Sequence, residues 1–167
     1  KVRGIRRGPD RPDLLIGDDL ENDEQCSTPG QRDKVSSWFF KAFAKTGARA
    51  DIFVNGTIIH YDSLLSRLLH NPMFKARKYQ GVIRWAGNAK LWSEWEHILT
   101  DGSAVEQDRE RAADEFYALH KAEMDAGAEV IWPEYRSYYE LMKLRVSEGP
   151  ASFDSEIQNE PINPEDC

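Results

Sequence analysis

Residues 14–19 read Leu14-Leu15-Ile16-Gly17-Asp18-Asp19, a short apolar run closed by two acids. A strand inside a parallel sheet is buried on both faces and so reads as a near-continuous apolar run, and a pair of acids at its end delivers carboxylates to the C-terminal edge of the sheet. The run therefore predicts a first strand. Downstream, Thr28-Pro29-Gly30-Gln31 supplies an N-cap, a Pro at the first helical position and a Gln positioned for a capping box. Val35, Trp38, Phe39, Ala42 and Phe43 follow at helical spacing up to Gly47. A second strand is expected at Ala50-Asp51-Ile52-Phe53-Val54, which breaks at Asn55-Gly56-Thr57.

Asp62 or Ser63 caps a short helix bearing Leu64, Leu65, Leu68 and Leu69, and Asn71-Pro72 ends it. Gly81 to Ala86 reads as a third strand. The pattern is helical from Leu91 onward. One stripe is Leu91, Trp92, Trp95, Ile98 and Leu99, and a longer helix from Val105 to Ala126 carries Ala112, Phe116, Leu119 and Met124, with Asp101-Gly102 between them. Trp132-Pro133 opens a further helix that stops near Gly149-Pro150. The segment 147–167 holds six acids, three Pro and no Lys or Arg, and is read as an extended linker. No internal repeat is visible. Strands alternating with helices give an α/β class, with a sheet too small to stand alone because both faces and edges need cover.

The totals narrow the function. The chain has 167 residues, 40% hydrophobic, with five Trp, six Tyr and seven Phe, enough to close a core. A net charge of −7 argues against a broad surface that grips nucleic acid, because such surfaces neutralise phosphates with Lys and Arg. Cys26 and Cys167 lack the spacing of a disulfide framework or a zinc knuckle, and a reducing cytosol fits them. The start is basic (Lys1, Arg3, Arg6, Arg7, Arg11), but no apolar signal region follows, and no run of about 18 apolar residues occurs. Neither a signal peptide nor a membrane span is expected. The first residue is Lys, which fits a piece cut from a longer chain.

Hydrolysis of a nucleoside triphosphate requires one carboxylate in the Mg²⁺ shell and another to orient the attacking water. Asp18 is the candidate for the metal and Asp19 for the water, with Glu21 in reserve. On the pattern alone an acidic loop after a strand remains the other reading. A calcium loop is discounted, because Asp23 stands where that loop needs Gly. His60, His70, His97 and His120 show no metal spacing, and Trp38, Phe39, Trp92 and Trp95 suit a core better than a base-stacking platform.

The run from Gly4, Arg6 and Arg7 through Arg11-Pro12-Asp13-Leu14-Leu15-Ile16-Gly17-Asp18-Asp19-Leu20-Glu21 resembles the Walker B neighbourhood of phage terminase large subunits. Asn55-Gly56-Thr57 with His60-Tyr61-Asp62-Ser63-Leu64-Leu65 is similar to motif III of that family. Leu91-Trp92-Ser93-Glu94-Trp95, Phe116-Tyr117, the stretch from Met124 to Glu134, and Phe153 to Pro161 follow in the family's order. Gln158-Asn159-Glu160-Pro161 is the most distinctive piece.

The resemblance implies a motor whose N-terminal ATPase drives DNA into a capsid while a C-terminal ribonuclease-H-like domain cuts it. This chain would be the C-terminal half of a P-loop (ASCE-type) ATPase sheet, residues 1–88 with Walker B and motif III. A helical subdomain at 89–146 and a linker at 147–167 toward a nuclease would follow. The implied site is Asp18 for metal, with Asp19, Glu21, Asn55 and Thr57 catalytic, Thr57 sensing the γ-phosphate. No Gly-x-x-x-x-Gly-Lys-[Ser/Thr] occurs, so ATP and Mg²⁺ belong to the intact protein and tight binding to this piece is not expected. Where related motors often carry Glu as the water-orienting acid, Asp19 stands here. The implied partners are double-stranded viral DNA, the portal protein, the small terminase subunit and a homo-oligomeric ring, in the host cell cytoplasm and without membrane. The other class is a non-catalytic helical interaction module of a phage assembly protein.

Overall fold

The computed structural model describes residues 10–47 and 49–163. The basic start up to Arg7, with Gly4, Arg6 and Arg7 of the Walker B resemblance, and Cys167 lie outside them. The protein is mixed α/β and divides into two compact units, one of residues 10–78 with 154–163, the other Tyr79–Phe153. This division differs from the expected 1–88, 89–146 and 147–167.

In the first unit, strands β1 (Leu14–Asp18) and β2 (Asp51–Asn55) pair in parallel, with Ile16 opposite Phe53 and Asp18 opposite Asn55. Between them come the short helix α1 (Asp23–Cys26), α2 (Pro29–Trp38) and a π-helical turn, Phe39–Phe43. Pro29 sits at the first helical position, and the Thr28 hydroxyl accepts from Gln31 N–H. The Gln31 side chain takes the hydroxyls of Ser27 and Thr28. Ser63 caps α3 (Leu64–Leu69). The core of this unit is Leu15, Val35, Phe39, Phe43, Leu64 and Leu68.

Burial alternates along β1. Leu15 and Gly17 face the core, while Leu14 and Ile16 are 52% and 62% exposed and Phe53 on β2 is 60% exposed. The expectation of a strand buried on both faces is corrected: among the described residues, helices cover one face and leave Leu14 and Ile16 exposed on the other.

In the second unit, β3 (Val82–Arg84) pairs antiparallel with β4 (Glu129–Val130). The expected third strand thus forms a separate two-stranded sheet instead of extending the first, because Gly127, with φ +83°, turns the chain back toward it. The helices are α4 (Ala89–Leu99), α5 (Glu106–Met124) and α6 (Tyr138–Glu148). Helix α5 is rotated relative to the expected stripe, burying Ala113, Tyr117 and Met124, while Leu119 is exposed. Tyr117 is drawn inward by the aromatic cluster: it stacks on Tyr139 at 3.8 Å, and Trp92 meets Trp95 and Tyr138 edge to face at 5.2 Å each. The Trp92 indole N–H donates to Met124 O at 2.8 Å. The helix expected from Trp132-Pro133 starts later. Residues 132–136 form a turn, and Ser137 with Glu140 closes a capping box on α6.

The extended-linker reading of the tail is also corrected. Gly149, with φ +85°, ends α6, and α7 (Pro150–Glu156) follows at once. Phe153 supplies the reason, being fully buried beside Trp85. Beyond α7 the chain packs in the first unit, where Gln158 is 3% exposed.

Candidate functional site at the ends of the parallel strands

Parallel pairing in register brings the C-terminal ends of β1 and β2 level, where Asn55 Nδ2 donates to Asp18 Oδ1 at 3.0 Å. Asp19 leaves the strand with φ 45°, a left-handed conformation that Asp tolerates better than most residues. Its N–H donates to Asn55 O at 3.1 Å, so the pairing persists one residue past β1. Gly56 passes close by: a Cβ there would stand 2.9 Å from Asp19 Oδ1 and 2.9 Å from Leu65 Cδ1. Asp18, Asp19 and Asn55 are exposed, Gly56 and Thr57 half-buried. Four of the five expected residues, Asp18, Asp19, Asn55 and Thr57, therefore lie at one strand end.

Glu21 is placed differently. Its Oε1 accepts from Leu64 N–H at 2.7 Å and its Oε2 from Leu65 N–H at 2.9 Å, and the Cys26 thiol donates to Oε1 at 3.4 Å. The carboxylate thus ties the loop after β1 to the start of α3, which follows β2. Burial first, then the charge of Glu21, pushes the Cys26 thiol up to about 12.

A charged network supports α3 from the other side. Arg32, 5% exposed, donates to Asp62 Oδ2 at 2.9 Å and to Cys26 O at 2.7 Å. Arg67 grips both oxygens of Asp62 and reaches Asp33 at 2.9 Å. Hydrogen bonding from Arg67, joined by Arg32, outweighs burial and holds Asp62 well below the usual carboxylate range, at about 2. His60 Nδ1 accepts from Asp62 N–H, and burial, then the charge of Arg32, lowers the imidazole from its ordinary value.

Sequence reasoning missed Arg32 and Asn159. Asn159 Oδ1 accepts from Ile58 N–H at 2.9 Å, across 101 residues, immediately beyond Thr57. No local signal marks such a contact, although Asn159 does lie in the distinctive Gln-Asn-Glu-Pro segment.

Among the described residues no three His, Cys, Asp or Glu side chains converge as a metal-binding group. Mg²⁺ typically takes one or two carboxylates and completes its shell with phosphate oxygens and water, so the acid pair Asp18 and Asp19 has the donor chemistry for it. Among the same residues no helix is long and apolar enough to cross a membrane. No protein family, curated protein or solved structure matches this chain.

Proposed function

We propose that this chain is the Walker B and motif III portion of a terminase large subunit, an ATP-driven motor that packages viral DNA. The observation that carries the reading is the parallel register of β1 and β2, which sets Asp18 against Asn55 with Asp19 one residue beyond. Ligands of open α/β sheets bind beyond the carboxyl ends of the parallel strands, where these residues stand. The exposed apolar face of Leu14, Ile16 and Phe53 adds support, because parallel strands normally have both faces covered and the motor's remaining sheet and helices would cover this one.

In this reading Asp18 holds the metal shell, and Asn55 fixes the orientation of its carboxylate. Asp19, set off the strand by its left-handed backbone, orients the attacking water and accepts its proton. Thr57, on the loop held against Asp19 by Gly56, senses the γ-phosphate. Glu21 anchors α3 to the same strand end and so carries a displacement there into the helix. When bound, ATP and Mg²⁺ supply the transferable phosphoryl group and neutralise its charge. Viral DNA, portal, small subunit and a ring of copies are the partners of the intact motor in the host cytoplasm.

A non-catalytic interaction module is the second reading, favoured by the aromatic surface of the Tyr79–Phe153 unit, where Trp132 and Tyr135 are 61% and 63% exposed and their tilted rings meet at 5.0 Å. The parent reading frame separates the two. The motor requires a phosphate-binding loop within roughly a hundred residues upstream, on the spacing of strands in such folds. It also requires DNA-stimulated ATP turnover by the product. A frame without that loop, or a product without turnover, leaves the interaction module.

A further inference from the structure

The loop after β2 carries Asn55 and Thr57, and it is held from two directions. On one side it is tied to β1, through Asp19 N–H on Asn55 O and the close approach of Gly56 to Asp19. The other tie comes from the far end of the chain. Asn159 Oδ1 accepts from Ile58 N–H at 2.9 Å, and the Ser155 hydroxyl donates to Ile58 O at 3.4 Å. Both backbone polar groups of Ile58 are therefore satisfied by side chains from 155–159. The segment presenting them is itself fixed: Asn159 takes φ 51°, Glu160 N–H closes on Asp154 O at 2.7 Å, Gln158 is buried, and Glu160 pairs with Lys78 Nζ at 2.5 Å.

We infer that Asn159 is a positioning residue for the strand-end site: the turn 158–160 is a latch that sets the Thr57 loop by capturing the adjacent Ile58 amide. The role in catalysis rests on the ATPase reading, whereas the latch does not. A side-chain amide suits the task because it accepts through its carbonyl without adding a charge to the loop that follows β2. Asn is one of the few non-glycine residues that tolerate the left-handed region, so Asn159 can hold this turn at φ 51° and still offer its side-chain carbonyl to Ile58. Thr57 thereby depends on residues about a hundred positions away, and anything that shifts 158–160 shifts the Thr57 loop.

Residue-resolved amide hydrogen exchange on this chain, without nucleotide, tests the latch. In the wild-type chain Ile58 N–H should be protected. Asn159→Ala should speed its exchange by about fivefold to tenfold, the scale of one lost hydrogen bond. It should also shift the Thr57 resonances, while α4 and α5 stay unchanged. Asn159→Asp, which keeps an acceptor, should restore most of the protection. An unprotected Ile58 in the wild-type chain overturns the latch without any variant, and so does unchanged exchange in Asn159→Ala. In the full-length protein, Asn159→Ala should lower kcat for ATP with little change in KM. Faster Ile58 exchange with unchanged turnover keeps the latch and removes the ATPase assignment of the Thr57 loop.

Discussion

Asn55 Nδ2 and Asp18 Oδ1 are 3.0 Å apart across paired strand ends, joining residues 37 apart in sequence. The bond is exposed, so it contributes little to folding, on the order of 1 kcal/mol or less. What it controls is orientation. Asn55→Ala should leave thermal stability nearly unchanged and raise the Mg²⁺ concentration needed for half-maximal ATP turnover in the intact protein. A large drop in melting temperature with an unchanged Mg²⁺ requirement would show that Asn55 serves only the fold.

Gly56 sets the spacing between that pair and Asp19. In Gly56→Ala the new methyl group meets Asp19 Oδ1 and Leu65 Cδ1, both at 2.9 Å. Each is the end of a side chain and can shift, but Gly56 also holds φ +157°, a conformation that L side chains rarely adopt, so the substitution strains the backbone as well. The Asp19 carboxylate cannot yield without leaving its place. The expected phenotype is a protein that melts at a lower temperature than wild type and whose turnover, measured where it is still folded, falls at least tenfold. Normal turnover in Gly56→Ala would remove Asp19 from the chemistry.

Local rules made much of this legible. The apolar run ending in Asp18 became β1, Thr28 and Ser63 cap the helices expected of them, and Gly149 ends α6. What the sequence hid was decided by distant partners. The third strand had a strand's composition, but only β4, some forty-five residues on, determined which sheet it joins. Along α5 the helical spacing pointed to Leu119, whereas the buried face carries Tyr117. Tyr117 is the buried one because its ring stacks on Tyr139 and its hydroxyl reaches Asp125 at 2.7 Å. The acidic tail had a linker's composition, and one buried Phe153 made it helical. At the candidate site the acid pair was readable and the Asn159 contact was not, since a side chain capturing a backbone amide 101 residues away leaves no period or motif.

Cys26 gives a chemical probe of Glu21. Burial and the neighbouring carboxylate raise its thiol to about 12, so little thiolate exists at pH 8. In a Cys167→Ser background, alkylation of Cys26 should be slow in the folded protein. Glu21→Gln removes the charge and weakens the acceptor facing Cys26, Leu64 and Leu65. Alkylation should then speed up several-fold, and α3 should lose about 1 to 3 kcal/mol of support from its charged acceptor. Alkylation rates equal to wild type would mean that burial alone controls the thiol.

Asp62 gives a pH signature. A carboxyl depressed in the folded state stabilises the fold above its unfolded value, near 3.8, and that contribution is lost as pH falls through its folded value, about 2. The window is therefore pH 4 to 2. Asp62→Asn, which leaves Arg32 and Arg67 without their shared anion, should melt at lower temperature than wild type at pH 7. The gap between the two melting curves should narrow as pH drops from about 4 to about 2. A gap that stays constant across that range would show that Asp62 titrates as it does in the unfolded chain.

Asp19 carries the decisive test of the proposed chemistry. Its backbone sits at φ 45°, a region that Asn tolerates as well as Asp does, so Asp19→Asn keeps the fold, the size and the Asp19 N–H to Asn55 O bond while removing the charge. In the full-length motor the variant should bind ATP almost as wild type does and lose turnover by about two orders of magnitude or more, the scale of a positioned acid-base group. Asp18→Asn should differ in kind, weakening the Mg²⁺ dependence as well as turnover. DNA cutting by a separate nuclease site should survive both changes. Glu21→Gln is the necessary companion: both its oxygens already accept backbone N–H groups of α3, so its loss should act through stability and the placement of α3. Normal hydrolysis by Asp19→Asn together with dead but well-folded Glu21→Gln would reverse the assignment and put the attacking water at Glu21.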